Sequence, residues 1–306
     1  MPTIAEHLNW RVKGWRHRRL AARVLDTPPL LPRDDGVVLF SMIGTKVLLP
    51  YLVAVKSLHR QLGRGRVVVM DDGTLDDDDR ALLHRHLGGP EIVALAGVDT
   101  DPCPRGGTWE RLLAILDARA TDYVVQLDSD TVTLGPVPEV AAAIEAGRSF
   151  SLRGEATAAL MPVDAFVASL PHEEPPLHIQ KAAERQLVGL ALPDRPSQRY
   201  FRGCSGFTGF APGAAGRGLA EAFSTAMAAR LGTARWREWG TEQVTSSFVL
   251  ANEPDPLLLP YQRYLNFWDE GVPADAALVH FLGTCRFNGA AYLDATRAAI
   301  EALSAA

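Results

Sequence analysis

An apolar run that ends in two carboxylates limits the folds open to this chain. Residues 123–127 read Tyr-Val-Val-Gln-Leu, and Asp128 and Asp130 follow with only Ser129 between them. Such a run is typical of a strand buried on both faces of a parallel sheet. In open α/β sheets the carboxyl ends of the strands face the ligand crevice. Asp128 and Asp130 are therefore predicted to lie at a binding site, although two acids at a strand exit could also simply cap a turn.

Strands and helices alternate through the first half of the chain. Apolar runs predict strands at Val37–Met42, Arg66–Met70 and Glu91–Leu95, ahead of the Asp128 strand. Helical spacing is found between them, at Leu48–Gln61, Leu75–Leu87 and Trp109–Ala120. This alternation predicts an α/β fold with a Rossmann-like, mostly parallel sheet flanked by helices. The four acids Asp76 to Asp79 are interpreted as charge that offsets the dipole at a helix N-terminus.

The second half of the chain gives a sparser pattern. Further strands are expected at Ser205–Phe210, Leu257–Leu259 and Ala277–Leu282. Residues 154–200 are expected to be irregular apart from a helix around 178–190. Another helix is expected over Gly216–Leu231. Trp236 and Trp239 lie three residues apart on a predicted helix. We interpret them as core packing, with a sugar-stacking pair as the alternative.

Composition describes an ordinary soluble globular protein. The chain has 306 residues, of which 47% are hydrophobic and 22% are charged, enough for one large or two small domains. A net charge of −5 argues against a nucleic-acid partner. The three scattered cysteines, Cys103, Cys204 and Cys285, have neither metal-binding nor disulfide spacing, and there is no signal-peptide pattern. We therefore expect a cytoplasmic protein.

The first 33 residues differ from the rest in charge. They contain seven Lys or Arg and two Asp or Glu, a net charge of +5, so the remaining residues carry a net −10. A basic helix with two tryptophans is predicted over residues 4–23, followed by a Pro-rich linker. Such a helix either contacts an anionic membrane at its inner face or docks on the domain with its basic side in solvent.

A second cluster of functional residue types begins at His280. This histidine ends an apolar run, with Gly283 three residues later and Arg286 three residues after that. Imidazole is a common third ligand for a transition metal that carboxylates already hold. Glycine lets backbone approach a phosphate closely, and arginine binds phosphate oxygens. A lone histidine at a strand end is often only a hydrogen-bonded polar group, so the pattern matters more than the histidine.

Taken together, these segments resemble glycosyltransferase family 8. His280-x-x-Gly283-x-x-Arg286 is similar to the family's H-x-x-G-x-x-K motif, with arginine for lysine and Phe287 where proline is usual. Three weaker matches stand in the family's order: Arg111-Leu112-Leu113 with the Asp128 strand resembles R-L…Y-L-D-x-D, Cys204–Phe207 resembles N-[SA]-G-[VF], and Glu242-Gln243 resembles D-Q. Asp71-Asp72-Gly73-Thr74 instead resembles the D-D-G-S of family 2, an inverting group. The resemblance covers roughly residues 36–290 and implies a GT-A fold.

The resemblance implies a role for each matched residue. Asp130 and His280 would ligate Mn²⁺ or Mg²⁺, and Asp128 would ligate the metal or bind the ribose. The remaining donor contacts would come from Ser41, Met42, Ile43 and Asp72 for the base, Gly283 and Arg286 for the diphosphate, and Arg111 for the sugar or phosphate. Glu242 and Gln243 would lie near the anomeric carbon or the acceptor hydroxyl. Glu242 would be the general base of an inverting enzyme, whereas Gln243 would face the reacting centre of a retaining one.

The predicted activity is metal-dependent transfer of a hexose from a nucleotide sugar, most simply a UDP-sugar, to a hydroxyl on a glycan, a lipid-linked or a small-molecule acceptor. Residues 34–306 would form one catalytic domain, with a nucleotide-binding half at 34–135, an acceptor-binding half at 136–290 and a C-terminal helix at 291–306. Two alternatives stay open. Asp128-x-Asp130-x-Val132 also fits the D-x-D-x-[TV] nucleophile motif of haloacid-dehalogenase-like phosphatases. The chain could also bind a nucleotide sugar without turning it over.

Overall fold

The computed structural model describes residues 4–192, 198–213 and 216–305, with the side chains of the first helix described from Trp10 onward. The helices are α1 (Ile4–Ala21), α2 (Leu48–Leu62), α3 (Asp77–Leu87), α4 (Trp109–Ala118), α5 (Pro138–Glu145), α6 (Val163–Ser169), α7 (Ile179–Glu184), α8 (Gly218–Leu231), α9 (Thr233–Trp236), α10 (Thr241–Ala251) and α11 (Ala291–Ser304). The strands are β1 (Val37–Ile43), β2 (Arg66–Asp71), β3 (Glu91–Ala94), β4 (Tyr123–Leu127), β5 (Thr131–Thr133), β6 (Phe150–Arg153), β7 (Met161–Pro162), β8 (Arg199–Tyr200), β9 (Gly203–Phe210), β10 (Leu257–Leu258), β11 (Tyr264–Asn266) and β12 (Leu278–His280).

The predicted class is confirmed: the protein is α/β, with mostly parallel strands flanked by helices. In the first half of the chain, the predicted strands and helices end within about two residues of their observed bounds, which is the usual uncertainty of helix and strand ends. The prediction is weaker over residues 154–200. There α6 was not predicted, and the helix expected around 178–190 is only α7.

The described residues divide into two compact units. The first comprises residues 4–94, 127–141 and 260–305, and the second comprises the described residues of 95–126 and 142–259. The predicted linear division at residues 33, 135 and 290 stays a prediction.

In the first unit, β1, β2 and β3 run parallel in the order β3-β2-β1, with Ser41 of β1 opposite Val69 of β2. Both faces of β1 and β2 are almost wholly buried, as the apolar runs predict. A second, three-stranded sheet has the order β11-β12-β5, in which β12 is parallel to β11 and antiparallel to β5. This register places His280 opposite both Asn266 and Thr131.

Helix α1 docks on α11 within the first unit. The His17 ring stacks on Tyr292 with 3.7 Å between ring centroids, and its Nε2 lies 2.9 Å from Thr296 Oγ1. Burial, with a smaller effect from the positive charge of Arg286, lowers the pKa of His17 to about 4, so the imidazole is neutral at neutral pH. The docking interpretation of the basic helix is therefore confirmed for the face that carries His17.

The second unit contains the strand order β10-β6-β9-β4. Strand β6 runs parallel to β10 and antiparallel to β9, with an irregularity between Ser151 and Leu152. Helices α8, α9 and α10 pack together through aromatic rings, among them Phe223 and Phe248. Trp236 is buried here, as expected, but Trp239 is 69% exposed. The core interpretation of Trp239 is wrong because α9 ends at Trp236, so the two indoles do not share one helix face.

Among the helices in the described part of the chain, none is both long and apolar enough to cross a bilayer.

Candidate metal and nucleotide site

Asp128, Asp130 and His280 converge in the first unit, as the sequence predicts. The two acids lie in the turn between β4 and β5, where the backbone N–H and the hydroxyl of Thr131 both donate to the carbonyl of Asp128. Because β12 pairs with β5, the imidazole of His280 lies beside that turn. His280 Nε2 is 3.3 Å from Asp130 Oδ1 and 3.9 Å from Asp128 Oδ2. One ligand atom from each residue lies within 4.8 Å of the others.

Asn266 orients the imidazole, and sequence reasoning missed it. Its Oδ1 lies 2.9 Å from His280 Nδ1, and both side chains are buried. An Nδ1–H that donates to this oxygen leaves the Nε2 lone pair directed at the carboxylates, the arrangement that metal-binding histidines usually adopt. The only sequence signal for Asn266 is an amide at the end of a short apolar run, the same position that His280 occupies in the next strand.

Asp130 is buried beside the imidazole of His280 and the guanidinium of Arg286. Its Oδ2 accepts a hydrogen bond from Arg286 Nη2, whereas its buried Oδ1 lies 3.3 Å from His280 Nε2 and forms no well-aligned hydrogen bond among the described residues. Burial alone would raise the pKa of Asp130, but the interaction with His280 and the charge of Arg286 outweigh it and lower the pKa. The carboxylate is therefore ionised at neutral pH. Two carboxylates and one imidazole, with an orphaned buried oxygen, fit a divalent cation.

Arg286 reaches this cluster from the turn that follows β12. Its Nε donates to the carbonyl of Phe281 at 3.1 Å, and its guanidinium pairs with Asp130. Gly283 is exposed, and a Cβ added there would meet nothing closer than 3.9 Å. Arg286 therefore contacts one of the three candidate metal ligands, and Gly283 lies near its guanidinium.

The predicted base-binding residues also lie in the first unit. The ends of β1 and β2 meet where Asp72 N donates to the carbonyl of Ile43 at 3.0 Å, and the Asp72 side chain is exposed. A Cβ at Gly44 would lie 2.3 Å from the Asp72 carboxylate, so a larger residue at this position would force the Asp72 side chain to move. Ser41 is completely buried, and its hydroxyl donates to the carbonyl of Leu127 at 2.8 Å. Ser41 therefore supports the residue before Asp128, while Met42 is half-buried.

Arg111, Glu242 and Gln243 lie in the second unit. Arg111 Nη2 is 3.7 Å from Glu242 Oε1, and both side chains are buried. Glu242 Oε2 accepts hydrogen bonds from Thr108 at 2.9 Å and Ser205 at 3.3 Å. Thr108 was not predicted. It has a φ of 74° in the glycine-rich turn before α4, and its hydroxyl donates to Glu242. Gln243 is half-buried on α10.

Comparison with protein-family models gives no match, and comparison with curated proteins gives none either. Solved structures do match. Mouse xyloside xylosyltransferase 1 aligns over 81% of this chain and 98% of its own, at 12% identity and a TM-score of 0.48. The bifunctional glycosyltransferase WbbM aligns over 91% of this chain and 53% of its own, at 14% identity and a TM-score of 0.49. The galactosyltransferase LgtC, solved with donor and acceptor sugar analogues, aligns over 86% and 95%, at 13% identity and a TM-score of 0.46. The chain is similar in fold to these glycosyltransferases.

Proposed function

We propose that this chain is a GT-A glycosyltransferase that moves a hexose from a nucleotide sugar to a hydroxyl acceptor with the help of Mn²⁺ or Mg²⁺. The observation that carries the proposal is the convergence of Asp128, Asp130 and His280, with Arg286 in contact with Asp130. Two acids and an imidazole suit a cation that binds phosphate, and a guanidinium fork suits the phosphate itself.

The residues of the first unit would bind the donor. Asp128, Asp130 and His280 would hold the ion, which supplies positive charge against the diphosphate as it leaves. Asn266 would keep His280 Nε2 directed at that position. Arg286 would exchange Asp130 for the diphosphate oxygens, and the open backbone at Gly283 would let the phosphates approach. Asp72, with the β1 end at Ser41, Met42 and Ile43, would define the base pocket, for which uracil is our proposal.

The residues of the second unit would act on the sugar and the acceptor. Arg111 would contact the donor sugar or a phosphate, and Glu242 would hold its guanidinium in place through the pair seen here. For an inverting reaction, Glu242 would take the proton of the acceptor hydroxyl. For a retaining reaction, Gln243 would face the anomeric carbon. We propose a glycan, lipid-linked or small-molecule acceptor and a cytoplasmic location.

A donor screen tests this function. Nucleotide sugars with different bases and sugars are titrated into the protein with Mn²⁺, with Mg²⁺ and with a chelator, and slow hydrolysis is followed in the absence of acceptor. We expect one base to bind in a metal-dependent way, with slow release of the sugar. Tight binding without turnover would support a non-catalytic binder. Hydrolysis of simple phosphate esters, with no nucleotide-sugar binding, would support the phosphatase alternative and contradict our proposal.

A further inference from the structure

Helix α1 has two faces of different chemistry. The inner face carries His17 and Ala21, both buried, and Trp10 packs edge-on against Phe287 with ring centroids 5.0 Å apart. The outer face follows from the turn of about 100° per residue in an α-helix. At its centre lies Trp15, 60% exposed, with Val12 beside it at 48%. Four exposed arginines of the helix surround these two side chains, Arg11, Arg16, Arg18 and Arg19, and a fifth, Arg23, lies in the short 3₁₀ helix Ala22–Asp26 that follows α1.

Among the described residues, no acid pairs with the arginines of this outer face. None of the five forms an ion pair with a described carboxylate, whereas the half-buried Arg64 and Arg217 and the exposed Arg297 pair with aspartates. The guanidinium of Arg19 instead lies 5.7 Å from the centroid of the Trp15 ring. An unmatched basic surface attracts a polyanion, and its charge contrasts with the net −10 of the chain after residue 33.

We propose that the outer face of α1, defined by Val12, Trp15 and the five arginines, binds an anionic lipid surface. Arginines alone would serve a nucleic acid equally well. The exposed indole at the centre favours a lipid surface over a nucleic acid, because tryptophan prefers the headgroup region of a bilayer. The basic residues around it would contact the anionic headgroups. The same helix is already anchored on α11, so the surface is held rigidly and needs no folding on contact. This proposal is independent of the proposed enzymatic function.

Point variants of the full chain test the proposal better than truncation. Removing residues 1–33 would strip away core residues such as Ala21 and Val24, so loss of binding could reflect unfolding. Charge reversal at Arg18→Glu with Arg19→Glu, and Trp15→Ala, change exposed side chains only. The matched controls are Arg60→Glu with Arg85→Glu, exposed on α2 and α3, and Trp239→Ala, another exposed tryptophan.

Co-sedimentation is measured with vesicles of phosphatidylcholine alone and of phosphatidylcholine mixed with phosphatidylglycerol. We expect binding only to the mixed vesicles, falling steeply with added salt. The double arginine reversal and Trp15→Ala should each reduce binding to the mixed vesicles by about tenfold or more, and the control variants should bind like the wild type. Equal binding of the α1 variants and the wild type, or no binding to either vesicle, would overturn the proposal. So would tight binding of single-stranded RNA that Trp15→Ala leaves intact, since that result assigns the arginines to a nucleic acid.

Discussion

Strands β2 and β4 both lead into paired acids, and the two pairs are used differently. At the end of β2, Asp71 accepts hydrogen bonds from the backbone of Gly73 at 2.8 Å and Leu75 at 3.3 Å, and it pairs with Arg80. Asp72 accepts from the backbone of Thr74 at 3.0 Å. After β4, by contrast, Asp130 faces His280 and Arg286, and one of its oxygens has no hydrogen-bond partner within the described residues.

The difference lies in how far along the chain the partners come from. Every partner of Asp71 named above lies within nine residues, so this acid closes a local turn ahead of α3. Asp130 meets a guanidinium 156 residues away. Acids satisfied locally stabilise their own turn, whereas acids that gather distant cations form a site. Substitutions at these positions test that division.

Replacing Asp130 should abolish metal-dependent nucleotide binding. We expect Asp130→Asn to weaken UDP binding in Mn²⁺ by about a hundredfold, or about 2.8 kcal/mol, because a charged ligand of the ion is lost. Isothermal titration calorimetry with and without chelator measures this. Asp78→Asn, an exposed acid in the first turn of α3, is the matched control. If Asp130→Asn in chelator bound UDP as tightly as the wild type does with Mn²⁺, the metal hypothesis would be contradicted.

Removing Arg286 should change two affinities in opposite directions. Arg286→Ala takes a competing cation from Asp130, so Mn²⁺ alone should bind more tightly. UDP and UDP-sugars should bind more weakly by about 2 kcal/mol, the size of a charge-assisted contact, while uridine should be unaffected. Calorimetric titrations of all four ligands give the comparison, with Arg297→Ala on α11 as control. Unchanged UDP affinity would remove Arg286 from the diphosphate site.

Asp71 should matter for stability and not for ligand binding. Asp71→Ala leaves the backbone N–H of Gly73 without its acceptor and breaks the pair with Arg80. We expect the free energy of unfolding to fall by about 1–2 kcal/mol, measured by urea denaturation, with Mn²⁺ affinity unchanged. Asp77→Ala, which changes an exposed neighbour, should lower the free energy of unfolding much less. A large drop in Mn²⁺ affinity for folded Asp71→Ala would break the distinction between the two strand ends.

Phe287 should support Arg286 through α1. Its ring packs against Trp10, and a Cβ on Gly14 would lie 3.5 Å from it, so α1 covers the residue next to Arg286. Phe287→Ala should weaken UDP binding by about 1 kcal/mol, the scale of one aromatic contact, and Phe287→Leu by less. In a double-mutant cycle, Phe287→Ala should cause no further loss of UDP affinity in a protein that already carries Arg286→Ala. Additive losses would show that Phe287 acts without Arg286.

Much of the fold and part of the site could be read from the sequence. Buried parallel strands require continuous apolar runs, so β1, β2 and β4 were visible as runs. The acids Asp76 to Asp79 do lie at the start of α3, where Asp76 and Asp79 form a capping box. Asp128, Asp130 and His280 were found because polar groups that follow buried strands stand out against an apolar background. All of these signals depend on residues near one another in the chain.

Contacts between residues far apart in sequence could be found only in the folded structure. Asn266 meets His280 because β11 and β12 pair in one register, and a shift of one residue would turn its amide to the other face. Arg286 lies on Asp130, and Thr108 reaches Glu242, through contacts that no local pattern encodes. Trp239 is exposed because α9 ends three residues earlier. Local periodicity reports which face of an element is buried, but convergence of side chains depends on register and helix ends, which the packed chain fixes as a whole.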